Sequence, residues 1–337
     1  MIIKILKPQS YSDFGQKTNQ EDSLFPLIGD ATEDTRVFLV CDGMGGHENG
    51  EVASACVAET IGTITASCPL CSTAEMQTTF EKALQQAYCN LDNLDKSESD
   101  RKMGTTLTFL AICTDGVLVA HIGDSRVYQL RPGKGIVFQT RDHSLVNDLI
   151  AAGELTEEEA RTFPQRNVIT RAIQPHQEYP AKAAYNILTD VRKGDVFFLC
   201  CDGVLEQLDN GDLLTYLLNE KPLKERIATI EKKCKERDTR DNNTAYLIEV
   251  CGTEATGDKV VEEVRLEVAE SQVLTSDIPK EPEKTKKHHY LTVLFAIVAV
   301  VACAFILMCS LGEAKNVKKS DVPQTERVQG TIQRHSK

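Results

Sequence analysis

Val37-Phe38-Leu39-Val40-Cys41-Asp42-Gly43 and Val196-Phe197-Phe198-Leu199-Cys200-Cys201-Asp202-Gly203 decide how this chain folds. Each is an unbroken apolar run that ends in Asp-Gly. Runs of this length, rich in Val and Phe and without polar alternation, read as strands covered on both faces. Each strand therefore holds a carboxylate at a rigid tip, followed by a glycine that lets a ligand approach the backbone closely. One Asp-Gly after a strand is an ordinary turn. Two copies 160 residues apart, with further acids at comparable boundaries, point to a shared cation.

The chain has 337 residues, 41% of them hydrophobic, enough for one large domain or two small ones. Its net charge of −12 argues against a nucleic-acid partner and suits a site that gathers carboxylates around divalent metal. Met1 to Lys7 is too short and too interrupted by lysine for a secretory signal, and reads as a first strand. Of the 12 cysteines, Cys41, Cys113, Cys200, Cys201 and Cys251 sit inside apolar runs, as reduced cytosolic cysteines do. Cys68-Pro69-Leu70-Cys71 has the spacing of a metal knuckle but no second pair, so it reads as a cysteine-bearing loop.

Around the two deciding strands, apolar runs at 105–113, 117–122, 126–130 and 244–251 read as further strands. Met76, Phe80, Leu84, Ala87 and Leu91 recur at helical spacing and predict a helix over 73–94. His143 to Ala152 reads as a helix stopped by Gly153. Thr156 with Glu159 forms a capping box, and Pro222 opens a helix to about Arg237. Strands cluster with helices between the clusters, which predicts layered α+β with mainly antiparallel sheets. Residues 253–289 turn charged and Pro-rich, as a flexible linker does. Leu291 to Leu311 is a run of 21 residues without a charge, which at about 1.5 Å per residue spans one bilayer core, so 290–311 is expected to be a transmembrane helix. Residues 312–337 form a short polar tail.

The acids assemble into a candidate site. Glu21 and Asp22 follow a turn-like Ser12-Asp13-Phe14-Gly15, and Asp42 and Asp202 end core strands. Asp142 precedes a helix, and Asp241-Asn242 precedes the last strand. Singly, Asp142 reads as an N-cap, Asp241 as a turn residue and Glu21 as a solvated acid. Those readings leave unexplained why so many acids lie at strand ends without matching cations. Oxygen donors with no Cys/His cluster favour magnesium or manganese over zinc. Four or five carboxylates can hold two such ions about 3.5–4 Å apart, bridged by a water of lowered pKa, an arrangement suited to hydrolysis at phosphorus.

Asp42-Gly43-Met44-Gly45-Gly46-His47, Met103-Gly104-Thr105-Thr106, Gly123-Asp124-Ser125-Arg126, Thr140-Arg141-Asp142-His143-Ser144, Asp202-Gly203 and Asp241-Asn242 stand in one order. In that order they resemble the PPM (type 2C) metal-dependent serine/threonine protein phosphatases of the bacterial branch, over residues 1–252. The resemblance implies a four-layer α-β-β-α sandwich with two central sheets and a dinuclear centre of Mn2+ or Mg2+ at one end. By position it makes Asp42 the ligand bridging both ions, helped by the Gly43 carbonyl, with Asp202 and Asp241 completing the catalytic set. Glu21 and Asp22 contribute directly or through water, and Asp142 with Asp202 matches a third, weaker metal site. Glu206 lies where the family often has another acid. Gly104–Thr106 and Gly123–Arg126 are read as packing and turn elements. Residues 153–171, including Arg161, Arg166 and Asn167, match a mobile flap beside the cleft.

Two positions depart from the family pattern. Lys17 stands where an arginine usually holds the substrate phosphate; it supplies charge without a bidentate fork. Met44 replaces the histidine of animal-type members, as it does in bacterial ones, and His47 reads as a turn residue. The implied activity is hydrolysis of phosphoserine and phosphothreonine in proteins by a metal-bridging hydroxide, with no covalent phospho-enzyme, opposing a Ser/Thr kinase. Its expected partners are phosphoproteins, among them kinases and their substrates, and the lipid bilayer. The expected location is the inner (cytoplasmic) membrane, single-pass, with the catalytic domain in the cytoplasm. Lys284, Lys286 and Lys287 before the span agree with that orientation, but Lys315, Lys318 and Lys319 follow it. The alternative is a catalytically weak phosphoprotein-binding or membrane signalling module of the same fold.

Overall fold

The computed structural model describes residues 2–45, 49–96, 102–160, 162–165 and 167–254. In chain order the first half comprises β1 (Ile2–Ile5), β2 (Gln9–Asp13), β3 (Ser23–Phe25), β4 (Val37–Cys41), β5 (Gly43–Met44), α1 (Gly50–Ala66), α2 (Thr73–Leu94), β6 (Gly104–Thr105), β7 (Leu107–Ile112) and β8 (Val117–Ile122). The second comprises β9 (Arg126–Arg131), β10 (Gly135–Gln139), α3 (Leu145–Ala152), α4 (Glu157–Ala160), β11 (Ala184–Leu188), β12 (Val196–Cys200), α5 (Asp202–Leu205), α6 (Asn210–Leu217), α7 (Leu223–Glu236) and β13 (Asn243–Glu254).

The strands form two antiparallel sheets. One runs β1-β13-β12-β9-β10, with β2 also on β13; the other runs β11-β8-β7-β4-β3, and β5 pairs β6 apart from both. The two deciding strands therefore lie in different sheets. Their unbroken hydrophobicity has the expected cause. Phe38 and Val40 of β4 point into the core shared with the other sheet, where Phe38 meets Tyr246 of β13 edge-on at 5.3 Å. Val37, Leu39 and Cys41 point the opposite way, into a second core made with α1 and α2. In that outer core Phe80 of α2 packs on Phe109 of β7 at 4.6 Å. On the far side α7 covers the first sheet with Ile227, Ile230 and Cys234. Helix, sheet, sheet, helix is the resulting order of layers.

Local signals placed most elements. Ser72 and Glu75 form a reciprocal cap at the start of α2, and Gly153 ends α3 at φ 75°. Thr156 and Glu159 cap α4 in the same reciprocal way. Helix α1 carries no comparable signal, because small and β-branched residues blur its period. It is helical because Ala53, Val57, Ala58 and Ile61 are buried, and Gly62 is needed where a Cβ would lie 2.3 Å from the Phe25 ring. Asp142 is not the N-cap of α3: Ser144 is, accepting from Asn147 N–H.

Strand β13 continues to Glu254, past the expected domain boundary at 252. No helix among the described residues is long and apolar enough to cross a membrane. The expected span at 290–311, the remainder of the 253–289 linker and the 312–337 tail lie outside the described residues. His47, Arg161 and Arg166 also lie outside them.

Candidate active site

The tips of β4 and β12 come together at one end of the sandwich. Asp42 and Asp202 line a cavity of about 260 Å³ with Lys17, Glu21, Asp124 and Asp241. Six chemistry-bearing side chains from five separate segments thus converge on one cleft. Five are acids.

The glycines after the two tip aspartates explain the convergence, though in a way the sequence reading did not foresee. What approaches them is the chain's own backbone. A Cβ on Gly43 would lie 2.4 Å from the Glu21 carbonyl oxygen and 2.3 Å from that of Gly50. On Gly203 it would lie 2.0 Å from the Asn242 carbonyl oxygen, and on Gly15, at φ +56°, 2.1 Å from that of Asp241. Each Asp-Gly therefore lets a second acid-bearing segment cross at van der Waals distance. Gly43 N–H also donates to the Glu21 carbonyl at 3.1 Å.

Polar clamps fix the remaining register. Asn242 Oδ1 accepts from Glu21 N–H at 2.8 Å, and its Nδ2 donates to the Phe14 and Asn19 carbonyls at 3.0 and 2.9 Å. One amide side chain thereby pins both ends of the loop that carries Lys17. Thr106 N–H and Thr105 Oγ1 both donate to the Asp42 carbonyl, at 2.9 and 3.0 Å, and Asp42 N–H donates to Thr106 Oγ1 at 3.0 Å. The Gly-Thr-Thr element is a packing element, as expected, and the backbone it holds is that of Asp42.

Burial and mutual repulsion raise the pKa of the acids. Asp22 is pushed up to about 7, mainly by burial and then by Asp202 and Asp241. Asp124 is pushed up to about 7 by burial, Asp202 and Asp142. Asp42 is raised well above the carboxylate range by burial, with Asp22 and Asp202 adding, and Asp202 is raised by burial as well. Among the described residues Lys17 is the one cation that lines the smaller cleft, with Nζ 2.9 Å from Asp241 Oδ1. Behind the cleft, Asp22, Asp42 and Cys201 bring one ligand atom each within 4.8 Å of one another. Cys201 Sγ donates to Asp22 Oδ2 at 3.2 Å, and burial beside Asp22 and Asp42 keeps it a thiol. Asp22 Oδ1 is buried with no hydrogen-bond partner. An orphaned carboxylate oxygen among repelling acids is what hard divalent cations would satisfy, so the residues present fit Mn2+ or Mg2+.

A larger cavity of about 680 Å³ adjoins this cleft, lined by Asp124, Asp142, Asn167, Asp202, Glu206 and Asp241 among others. Asp142 does not stand free there. Arg126 donates to both of its oxygens, from Nε at 2.7 Å and from Nη2 at 2.6 Å. Asp124, read from the sequence as part of a turn, is the acid that faces Asp42 and Asp202 instead. Asp124, Arg126 and Cys201 were the site residues missed. The Gly-Asp-Ser-Arg turn was visible, but its side-chain directions are set by the β8–β9 connection, which periodicity does not report. Glu206 accepts from Arg240 N–H at 3.1 Å.

The family model for protein phosphatase 2C matches residues 11–241. Protein phosphatase PhpP of Streptococcus pneumoniae serotype 2 is 32% identical over 238 residues, covering 70% of this chain and 94% of its own. Serine/threonine phosphatase stp of Listeria innocua is 29% identical over 216 residues, 63% of this chain and 84% of its own. Among solved structures, the S. agalactiae serine/threonine phosphatase matches with a TM-score of 0.64 at 30% identity, covering 72% of this chain and 98% of that one. The catalytic domain of the phosphatase PstP, in complex with 2 manganese ions, matches with a TM-score of 0.60 at 28% identity, covering 73% and 99%.

Proposed function

We propose, for a chain that belongs to the protein phosphatase 2C family, that its cleft hydrolyses phosphoserine and phosphothreonine in proteins. The family makes it a protein phosphatase. The observation that carries the finer reading is the meeting of the two Asp-Gly tips, from different sheets, beside Lys17.

Asp42, Glu21, Asp202 and Asp241, with Asp22 behind and the Gly43 carbonyl beside them, would hold two Mn2+ or Mg2+ ions. Asp124 and Asp142 flank Asp202 where a third, weaker ion would sit. When bound, such ions lower the pKa of water and neutralise phosphate charge. The chain's own residues supply the rest. Crowded carboxylates repel a phosphate dianion, so the cleft admits substrate only once its charge is offset. Lys17 meets the phosphate as a point charge, with Asp241 holding the ammonium at the rim. Direct attack by water is favoured over a phospho-enzyme on Ser, Cys or His, because the smaller cavity is lined by none of these among the described residues. The Thr106 hydroxyl there is already engaged by Ser125 and Asp42 N–H. With Met44 in the lining, the leaving alkoxide takes its proton from solvent.

The reading extends to location. The charged segment 253–289 and the uncharged run Leu291–Leu311 would tether the domain to the cytoplasmic face of a membrane, opposing a Ser/Thr kinase there. Release of phosphate from matched phosphothreonine, phosphoserine and phosphotyrosine peptides tests the chemistry. Turnover should favour the first two, and equal or greater turnover of phosphotyrosine would contradict the assignment.

A further inference from the structure

Beside the metal cleft, the segment from Ile169 to Lys182 forms a second depression of about 490 Å³, room for one or two side chains. Ile169 lines both, so the two lie side by side. The segment is anchored to the catalytic backbone: Thr105 and Ile173 exchange N–H···O bonds at 2.9 Å, and Thr105 Oγ1 in turn holds the Asp42 carbonyl. The lining changes sign between the two. The cleft is acidic, whereas Arg171 and Lys182 supply cations to the depression and, among the described residues, no Asp or Glu lines it.

Among the described residues Arg171 finds no acceptor. Gly123 N–H donates to His143 Nδ1 at 3.1 Å, which leaves the ring proton on Nε2. Arg171 Nη1 lies 3.4 Å from that Nε2 and so faces an N–H, to which it cannot donate. The His143 ring stacks on that of His121, with centroids 4.6 Å apart. Among the described residues neither Arg171 nor Lys182 forms an ion pair. Tyr179, 83% exposed, and Pro180 add an apolar wall.

We propose that Arg171, Lys182 and Tyr179 form a subsite for an anionic side chain, carboxylate or phosphate, flanking the phosphorylated residue of the protein substrate. This rests on the phosphatase reading above. Among the carboxylates of the cleft an acidic flank is repelled; in this depression it meets a guanidinium fork with unused donors. The subsite selects among phosphoproteins by what stands beside the phosphoresidue. The contacts are solvent-exposed, so the preference is modest and sensitive to salt.

The test uses the full chain with manganese and phosphothreonine peptides bearing Asp, Asn, Lys or a second phosphoserine at flanking positions. At low salt, kcat/KM for the best Asp or doubly phosphorylated peptide should exceed that for its Lys counterpart by on the order of tenfold. The gap should close at about 0.5 M salt, where screening is short-ranged. Whichever anion is preferred identifies carboxylate or phosphate as the natural group. Lys182→Glu should reverse the order of the Asp and Lys peptides, and Arg171→Gln should flatten it. Turnover of all peptides at equal kcat/KM by the unmodified chain would overturn the subsite and leave the phosphatase reading intact. Absence of turnover of every phosphopeptide would overturn both.

Discussion

Gly203 lies so close beneath Asn242 that a Cβ built on it would sit 2.0 Å from the Asn242 carbonyl oxygen. The contact joins the tip of one core strand to the segment that carries Asp241, and Thr239 Oγ1 closes it from the other side by donating to the Gly203 carbonyl at 3.0 Å. Gly203→Ala must therefore push the two segments apart. The expected cost is about 2 kcal/mol or more of stability, together with weakened manganese dependence of turnover. Urea unfolding and a manganese titration of activity check both.

The raised carboxyl pKa values give a pH prediction for the metal-free protein. Unfolded aspartates titrate near 4, whereas Asp22 and Asp124 in the fold titrate at about 7. Between those values the native chain keeps protons that the unfolded chain has lost, so stability falls as pH rises. The contribution is fully present below about pH 4 and gone above about pH 7. Chelated protein should thus unfold more readily at pH 8 than at pH 5.5, by on the order of a few kcal/mol, and manganese should remove the difference. Denaturation at the two pH values, with and without the ion, measures it.

Lys17 sits at the rim of the cleft, paired with Asp241 at 2.9 Å and pinned indirectly by Asn242. Lys17→Arg should lower KM for a small phosphoester several-fold, the equivalent of roughly 1 kcal/mol, because a guanidinium contacts two phosphate oxygens at once. Lys17→Ala should raise it. Steady-state kinetics on p-nitrophenyl phosphate decides, and unchanged constants in both variants would remove Lys17 from phosphate binding.

Membrane attachment is expected to reside in the C-terminal run. The full chain should sediment with membranes and resist extraction by salt, while a chain ending after Glu254 should stay in the supernatant and remain active. Release of the full chain by salt alone would contradict an inserted span.

How much of this was legible in the sequence varied with the kind of signal. β4 and β12 were readable because burial on both faces leaves no polar residue between Val37 and Cys41 or between Val196 and Cys200. The acids at their tips followed directly. Helix α1 was not readable, since its buried face is made of Ala, Val and Gly chosen for close packing on Phe25 and β4. Asp124 stands in a recognisable turn, but which of two neighbouring acids faces the cleft depends on Arg126 taking both oxygens of Asp142. The thiol of Cys201 hid in an apolar run, where its spacing marks it only as core. Tertiary contacts of this sort leave no periodic trace.

The central claim is that the carboxylates around Asp42 work by holding divalent cations. Manganese-dependent phosphate release from a phosphothreonine peptide, compared between the natural chain and Asp42→Asn, tests it most directly when stability without metal is measured alongside. An amide cannot ionise into the repelling, buried cluster, so the metal-free variant should be no less stable than the natural chain near pH 8, yet its turnover should fall by orders of magnitude. Full turnover in Asp42→Asn, or in the natural chain under excess chelator, would contradict the account.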